Sequence, residues 1–516
     1  MKKARKLLRI IFGRTAFVVM SLLLQISILL AGFRFLSHYM VYIYGGFTLL
    51  SAFVILYVIN KDENPSFKLA WIIPITVIPV FGTLLYLFLE LQWEGKIINR
   101  RLRENIAAPQ PYLKQNPRYM EQLARISRSN ANLAAYIENS GSYPVYGNTN
   151  VKYYPLGEEM FEDMKKELEK AKRFIFVEYF IGERGEMWDS ILEILERKVS
   201  EGVEVRFMYD GMCCLVLLPY SYPKELRAKG LKAKMFAPIR PALSTYQNNR
   251  DHRKILVIDG HTAFTGGINL ADEYINRKVR FGHWKDTGIM LKGDAVTSFT
   301  MMFLQMWNIT EREPEDYGRY LRDPEFFYPP ELSMEGFVIP YGDSPLDQET
   351  VGELVYLDII NTARSYVHIM TPYLILNYEL VQALQFAAKR GVETIIIMPH
   401  IPDKVYAFLL AKAHYEELIK AGVQIYEYTP GFVHAKVFTS DDEKAVVGTI
   451  NMDYRSLYLH FECAAYIYRN EVIQDVERDF RETLAQSQVI TLEECRRYPW
   501  YKKLAGRALR LFAPLM

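Results

Sequence analysis

The chain has 516 residues, enough for two or three domains. Its 62 basic and 60 acidic residues leave a formal net charge of +2, which does not indicate nucleic acid as a partner. Four cysteines in so long a chain exclude a disulfide framework and fit a reducing compartment. Because His-x-His, Asp-x-Asp and Cys-x-x-Cys clusters are missing from the sequence, we expect neither a catalytic metal nor a cofactor.

Three hydrophobic blocks open the chain, at residues 15–33, 39–59 and 69–89. The first two are long and apolar enough to cross a bilayer, and neither has the features of a cleaved signal peptide. Pro74 and Pro79 interrupt the third block, so we expect it to span with a kink or to dip in and return. A core helix is the alternative for this block. The sequence thus predicts a membrane region over residues 1–92, with two or three hydrophobic helices.

Basic residues flank this region on both sides. Before the first block they are Lys2, Lys3, Arg5, Lys6, Arg9 and Arg14, and after the third they are Lys96, Arg100, Arg101 and Arg103. The positive-inside rule places both ends in the cytoplasm, which requires an even number of crossings. We therefore predict that the third block does not fully cross the cell membrane and that the remainder of the chain is cytoplasmic. Residues 93–140 are expected to form a basic connector along the membrane.

The pattern after residue 140 occurs twice. Each copy reads as a helix end running into a buried strand, an amphipathic helix that ends at Gly-Val, and a second strand. The copies are residues 171–181, 188–199 and 204–209, and residues 363–375, 378–389 and 393–398. Such units predict α/β domains, each with a mostly parallel or mixed sheet flanked by helices. We expect two related domains over residues 141–335 and 336–488.

Each predicted domain contains the pattern His-x-Lys-x-x-x-x-Asp, at residues 252–259 and 434–441. A Gly-x-Ile-Asn follows each copy at the same distance and ends at Asn269 or Asn451. Alternate residues of a strand share a face, so the histidine and the lysine of each copy point into one space. Histidine can attack phosphorus or donate a proton, and lysine can neutralise phosphoryl oxygens. The candidate catalytic residues are His252, Lys254, Asp259, His434, Lys436 and Asp441.

These residues resemble the paired HKD motifs of the phospholipase D superfamily, over nearly all of the chain after residue 140. The resemblance implies two motifs facing each other across a pseudo-twofold axis, one histidine forming a phosphohistidine and the other protonating the leaving alcohol. Residues 64–71 and 79–86 resemble the membrane hairpin region of bacterial cardiolipin synthases. That resemblance implies the joining of two phosphatidylglycerol molecules into cardiolipin, with release of glycerol and without a cofactor. Anionic membrane lipid is the expected partner.

Other functions share parts of this pattern. A membrane phospholipase D would hydrolyse the same intermediate, and a catalytically inactive scaffold would bind anionic lipid without turnover. Both motifs are intact, which disfavours the scaffold. A nuclease of the superfamily is disfavoured by the hydrophobic blocks and the balanced charge, so no nucleic acid is expected. The acceptor alcohol, the acyl-chain preference and homo-oligomer formation stay open.

Several polar residues near the motifs are candidates for supporting roles. Glu178 ends a buried strand and either supports the site or forms a structural salt bridge. Asn269, Asn451 and Asp453 follow the motif strands and either bind substrate or form turns. His283, in a segment that resembles the superfamily between the motifs, is either structural or catalytic.

The second motif has more acidic neighbours in the sequence. Asp442 and Glu443 follow Asp441, and Asp453 follows Asn451. Since nearby carboxylates favour imidazolium, this pattern predicts His434 as the acid and His252 as the nucleophile.

Two further segments are apolar or amphipathic. The apolar loop at residues 212–219 is either a core plug or a contact for acyl chains or membrane. In the tail, residues 489–516, Trp500, Leu504, Ala508 and Leu511 share one helical face, opposite Lys502, Lys503, Arg507 and Arg510. This pattern is typical of an interfacial helix on anionic lipid, and a solvated helix packed on the enzyme is the alternative.

Overall fold

The computed structural model describes residues 40–90, 103–239, 248–311, 315–323, 335–347 and 349–515, together with Leu23, Ser27, Leu30, Ala31, Arg100 and Ser333. The hydrophobic block at residues 15–33 lies almost wholly outside the described residues, as do residues 91–99 of the predicted connector.

Three helices form the N-terminal region: α1 (Met40–Asn60), α2 (Pro65–Val77) and α3 (Pro79–Glu90). Helices α2 and α3 fold back on each other, because the rings of Trp71 and Tyr86 meet edge to face with centroids 5.3 Å apart. The bend is tight, since a Cβ on Gly82 would lie 2.5 Å from the carbonyl oxygen of Pro74. The third hydrophobic block is therefore a helical hairpin, broken at Pro79.

Within the described segments, no helix combines the length and the apolar character needed to cross a membrane. The spanning helices predicted for residues 1–92 thus find no support in this part of the chain.

A mixed sheet of seven strands forms the first half of the catalytic region. The strands in chain order are β1 (Thr149–Tyr154), β2 (Phe174–Tyr179), β3 (Glu204–Asp210), β4 (Lys232–Phe236), β5 (Arg250–Asp251), β6 (Lys254–Ile258), β7 (Thr262–Gly266), β8 (His283–Lys285) and β9 (Gly288–Gly293). Their order in the sheet is β1-β9-β7-β6-β2-β3-β4, with β5 and β8 outside it. Strands β2, β3 and β4 are parallel, and the other neighbours are antiparallel.

The second half repeats this arrangement. Its strands are β10 (Phe337–Asp343), β11 (Tyr366–Met370), β12 (Glu393–Pro399), β13 (Gln424–Tyr428), β14 (Gly431–Val433), β15 (Val437–Ser440), β16 (Lys444–Gly448), β17 (His460–Tyr468) and β18 (Ser487–Val489). The order β10-β17-β16-β15-β11-β12-β13-β18 matches that of the first sheet, with β18 added. A mostly parallel sheet was the wrong expectation, because tight turns after β6 and β15 make antiparallel hairpins. The mixed sheet is the alternative that the structure has.

Helices cover both sheets. They are α4 (Pro117–Ile126), α5 (Arg128–Gly141), α6 (Gly157–Glu169), α7 (Glu186–Ser200), α8 (Cys213–Val216), α9 (Tyr222–Ala228), α10 (Val296–Trp307), α11 (Val351–Thr362), α12 (Tyr378–Lys389), α13 (Val405–Lys420), α14 (Tyr454–Tyr458), α15 (Val472–Ala485), α16 (Leu492–Arg497) and α17 (Trp500–Arg510). Helix α5 buries Leu133 and Ile137, and the Tyr466 hydroxyl donates to the Asn130 side chain. This part of the predicted connector packs on the core of the sheets, and its place along a membrane stays a prediction.

The two halves exchange short strands. Strand β8 of the first half pairs in parallel with β14, and β5 pairs in parallel with β17 of the second half. A buried ion pair joins the halves as well, with Lys285 Nζ 2.8 Å from the Asp479 carboxylate. These contacts place the segment just before each motif against a strand of the other half.

The apolar loop is partly a core plug, and its contact with acyl chains or membrane stays a prediction. Cys213 and Leu218 are buried, and the Cys213 thiol donates to the carbonyl oxygen of Phe180 at 3.1 Å. Met212 and Val216 are exposed, Val216 by 82%. The loop is thus anchored in the core and presents an apolar tip.

The tail forms helix α17, which packs on α13. A Cβ on Gly506 would lie 2.6 Å from the Leu409 carbonyl oxygen, so this glycine permits the close approach of the two helices. Trp500 and Leu504 remain exposed, by 75% and 60%. The helix is therefore packed on the enzyme while most of its predicted apolar face stays free.

Candidate active site

The other half of the molecule holds the backbone of each motif histidine. The amide of His252 donates to the carbonyl oxygen of Phe461 at 2.9 Å, and the amide of His434 donates to that of Lys285 at 2.7 Å. The paired strands β5–β17 and β8–β14 make these contacts possible. The positions of both histidines therefore depend on the docking of the two halves.

The carboxylate that orients each imidazole also comes from the other half of the molecule. Glu462 of the second half has its two oxygens 2.9 and 3.0 Å from Nδ1 of His252. Asp286 of the first half lies 2.6 Å from Nδ1 of His434. A carboxylate at Nδ1 keeps the proton on that nitrogen, so Nε2 of the neutral ring carries the lone pair. Glu462 and Asp286 are thus positioning residues.

Both imidazoles are buried, and their pKa values are low. Burial lowers the pKa of His252 to about 3, although Glu462 opposes the shift. Burial and the charge of Lys436 lower the pKa of His434 to about 4, against the effect of Asp286. Both rings are therefore neutral before substrate binds. A bound phosphodiester brings a negative charge that favours protonation of one of them.

The motif lysines are buried beside the histidines. Lys254 Nζ donates to the His252 carbonyl oxygen at 2.6 Å, and Lys436 Nζ lies 2.8 Å from His434 Nδ1. Burial lowers the pKa of Lys254 to about 8 and that of Lys436 to about 7. The charge of Lys254 also lowers the pKa values of His434 and Lys436, so the two motifs share one site.

Among the described residues, no carboxylate lies within 4 Å of either lysine nitrogen. Glu462 and Asp286 raise the pKa of both lysines only from a longer distance. Two buried ammonium groups without a countercharge in direct contact favour the binding of an anion. A phosphodiester between them would supply that countercharge.

The structure separates Asp259 and Asp441 from the reacting groups, which corrects their predicted catalytic role. Asp259 accepts hydrogen bonds from the amides of Lys172, Arg173 and Phe174, at 2.7 to 2.9 Å. Asp441 accepts from Arg364, Ser365 and Tyr366 in the same way. Each aspartate begins the turn at the far end of its motif strand from the histidine, with a left-handed φ of 52° or 55°. Each carboxylate therefore holds its turn against the backbone that leads into the neighbouring strand, which is β2 for Asp259 and β11 for Asp441.

The argument from acidic neighbours of His434 fails for Asp442 and Glu443, which belong to that distant turn. Asp453 caps α14 by accepting from the amide of Ser456, and its charge acts on Lys436, whose pKa it raises. Asp286, from the other half, is the carboxylate that contacts His434. The assignment of the two histidines stays a prediction, without this support.

The remaining supporting candidates divide into structural and site positions. Glu178 has the structural role that was its alternative, because its carboxylate forms a buried ion pair with the Arg253 guanidinium at 2.7 Å. Asn269 accepts from the Ile181 amide and donates to the Tyr274 hydroxyl, which contributes to the wall beside His434. The Asn451 amide oxygen is buried and has no hydrogen-bond partner in the described part of the chain, so it remains a candidate for substrate binding. His283 contacts the Tyr428 hydroxyl at 2.9 Å, on the outer edge of β8.

Sequence reasoning missed Asp286 and Glu462 as functional residues. Each is an acidic residue at or near the start of an apolar strand, β9 or β17. A carboxylate buried at such a place is costly unless it is paired, and this signal could have identified both.

Comparison with known proteins agrees with the duplicated site. The profile described as "Cardiolipin synthase, PLD-like domain" matches residues 164–307 and 356–484, and "Phospholipase_D-nuclease N-terminal" matches residues 49–89. The chain belongs to the PLD-like cardiolipin synthase family.

Individual proteins support this family membership. A cardiolipin synthase of Halalkalibacterium halodurans is 31% identical over 93% of this chain and 96% of its own. An uncharacterised protein of Streptococcus mutans is 52% identical over 90% of this chain and 99% of its own. The crystal structure of phosphatidylserine synthase from Haemophilus influenzae has the same fold, with a TM-score of 0.57 at 14% identity, over 76% of this chain and 100% of that one. The chain is a phosphatidyltransferase of the phospholipase D superfamily.

Proposed function

We propose that this enzyme transfers a phosphatidyl group from one phosphatidylglycerol to a second, and so forms cardiolipin and glycerol. The observation that carries the proposal is the crossed pair of neutral, oriented histidines, each with a buried lysine beside it. A member of the cardiolipin synthase family with this arrangement has a nucleophile, an acid and two cations for one phosphodiester.

The first step forms the covalent intermediate. Binding of the anionic phosphodiester first favours protonation of His434 at Nε2. His252 Nε2 then attacks phosphorus and forms a P–N bond, while the P–O bond to glycerol breaks and the leaving oxygen takes that proton from His434. Lys254 and Lys436 neutralise the non-bridging oxygens as charge accumulates there. Glu462 stabilises the ring of His252 when it becomes positively charged.

The second step reverses the roles with a new alcohol. A hydroxyl of the second phosphatidylglycerol gives its proton to His434 and attacks phosphorus, and the P–N bond breaks. Because one phosphodiester replaces another, no nucleotide is needed. Water must be kept from the same intermediate.

Exposed apolar residues support attachment of the enzyme to the membrane surface. Phe53 and Leu56 of α1 are exposed, as are Trp500 and Leu504 of α17. Phe67 of α2 packs against the small apolar cluster that contains Ala513, so α2 and the residues after α17 lie close together. We propose a cytoplasmic catalytic region resting on anionic lipid, where the substrate is concentrated and water is scarce.

The test uses the purified full-length enzyme with phosphatidylglycerol as the only lipid, followed by mass spectrometry of the products. Cardiolipin and glycerol in equal amounts are expected. Phosphatidic acid and glycerol would instead identify a hydrolase, and no product at all would indicate an inactive lipid-binding protein. A His252→Ala variant controls for contaminating enzymes.

A further inference from the structure

A third histidine lies beside the proposed nucleophile and takes no part in the mechanism above. The ring of His460 has its centroid 5.5 Å from that of His252, and its Nδ1 lies 3.8 Å from the Glu462 carboxylate. His460 is only 9% exposed, yet neither ring nitrogen has a hydrogen-bond partner among the described residues. A buried imidazole with two unpaired nitrogens needs an explanation.

The surroundings of His460 favour a cation. It lines a cavity of about 660 Å³ between the loop before α2 and the second half of the catalytic region. One arginine, Arg103, lines this cavity in the described part of the chain, against the six carboxylate side chains of Asp62, Glu63, Asp343, Glu349, Glu353 and Glu379. Burial raises the pKa of Asp343 well above its usual range and also raises that of Glu353, so the negative charge of the wall comes mainly from the other four side chains. Such a wall attracts positive ions and repels anionic lipid.

We propose that His252, His460 and Glu462 form an inhibitory site for a divalent transition-metal ion such as Zn²⁺, which enters through this acidic cavity. Each residue offers one ligand atom, and these atoms lie within 4.8 Å of one another. Two imidazoles and a carboxylate are ligands that Zn²⁺ prefers, and small side-chain rotations bring them to bonding distance. Mg²⁺ prefers oxygen ligands and is not expected to compete.

Metal binding would stop the reaction by changing the proton on His252. A metal bound to Nδ1 replaces the hydrogen bond to Glu462, so the proton of the neutral ring must lie on Nε2. That nitrogen then has no lone pair for phosphorus. The inhibition rests on the proposed function, whereas the binding of the metal does not.

The described part of the first half has no such site. Trp284 occupies the position two residues before Asp286 that His460 occupies before Glu462, and its ring lies 5.4 Å from that of His434. Among the described residues, His252, His460 and Glu462 are the one group of three metal-ligating side chains that is close enough. The inhibition is therefore expected to act through the nucleophile and not through the acid.

Activity is measured with the full-length enzyme and phosphatidylglycerol in detergent micelles, over a series of ZnCl₂ concentrations. Zinc should abolish turnover of the unmodified enzyme, and a chelator should restore it. The variant His460→Asn should keep its activity without zinc and need at least about tenfold more zinc for half-inhibition. His400→Asn, which removes a half-exposed histidine beside Glu427, should behave like the unmodified enzyme. Equal zinc sensitivity of His460→Asn and the unmodified enzyme would overturn the proposal.

Binding is measured separately with Co²⁺, whose visible absorption reports nitrogen and oxygen ligands without any turnover. One Co²⁺ per chain is expected for the unmodified enzyme, with loss of the signal in His460→Asn and in His252→Ala. Thermal unfolding of each variant distinguishes a lost ligand from a misfolded protein. A Co²⁺ signal that survives both substitutions would overturn the site even if the protein turned out to be a hydrolase.

Discussion

At the scale of single residues, each histidine depends on a carboxylate from the opposite half of the molecule. His252 is paired with Glu462 and His434 with Asp286, at hydrogen-bond distance in both cases. Both rings start neutral because they are buried. The two histidines can thus exchange the roles of nucleophile and acid in principle, and an experiment must distinguish them.

Trapping the covalent intermediate makes this distinction. The His434→Ala variant should form a phosphatidyl-enzyme slowly from a donor with a good leaving group, because such a group needs no acid. The His252→Ala variant should form none. Mass spectrometry of the intact protein after brief exposure to the activated donor reports the adduct. An adduct on His434 in the His252→Ala protein would reverse the assignment.

The lysines predict how substrate binding depends on pH. Burial lowers the pKa of Lys436 to about 7 and that of Lys254 to about 8, so both are charged below these values and lose charge as the pH rises through them. Since a phosphoryl anion needs the charged forms, affinity should be full near pH 6 and fall between pH 7 and 9. Titration with a non-reactive phosphodiester at several pH values measures the affinity. At pH 8, binding should be accompanied by uptake of protons. A pH-independent affinity would contradict the role of the lysines.

At the scale of single elements, the turns after β6 and β15 hold the motif strands in register. Asp259 and Asp441 each accept three backbone hydrogen bonds from the segment that enters the neighbouring strand. The equal spacing between histidine and aspartate in the two copies therefore reflects the length of the motif strand, whose far end the aspartate holds in place. It does not reflect a chemical contact.

Replacing Asp259 separates these roles. The Asp259→Ala variant loses a nearly buried carboxylate with three amide donors, which should lower the free energy of unfolding by about 2 to 4 kcal/mol. Glu443→Ala removes one exposed ion pair with Arg469 and should change the free energy of unfolding by less than about 1 kcal/mol. Denaturant unfolding gives both values. The folded fraction of Asp259→Ala should retain most of its turnover, whereas a complete loss in well-folded protein would restore a catalytic role.

Sequence reasoning succeeded where a feature is local in the chain. The repeat, the motif strands and the turn at Asp259 and Gly260 follow from neighbouring residues, as does the break at Pro79. The parallel sheet was wrong because pairing depends on which strands meet in space. Asp286 and Glu462 escaped notice because each acts on a histidine about 150 or 210 residues away, and no local pattern encodes that contact.

At the scale of the whole molecule, the exposed apolar residues of the tail suggest how the enzyme meets its substrate. Trp500 and Leu504 lie on helix α17, which packs closely on α13 at Gly506. Their positions are therefore fixed relative to the rest of the protein. The cluster around Ala513 joins this helix to the N-terminal hairpin.

Removal of this tail surface should weaken membrane binding. The double variant Trp500→Ser and Leu504→Ser should bind phosphatidylglycerol vesicles at least about tenfold more weakly, because two large apolar side chains lose their burial in lipid. Val279→Ser, which changes an exposed apolar residue far from the tail in sequence, is the matched control and should bind normally. Vesicle sedimentation measures both. Unchanged binding of the double variant would remove the tail from the membrane contact.

The crossed carboxylates have a consequence for the integrity of the enzyme in the cell. A chain that is truncated, nicked or only half folded keeps one intact motif but lacks the acid that sets its imidazole, since that acid belongs to the missing part. Such a fragment has no correctly held nucleophile. A damaged copy should therefore be inactive and should not hydrolyse membrane lipids. The sharing of side chains between the two halves thus protects the membrane from damaged enzyme.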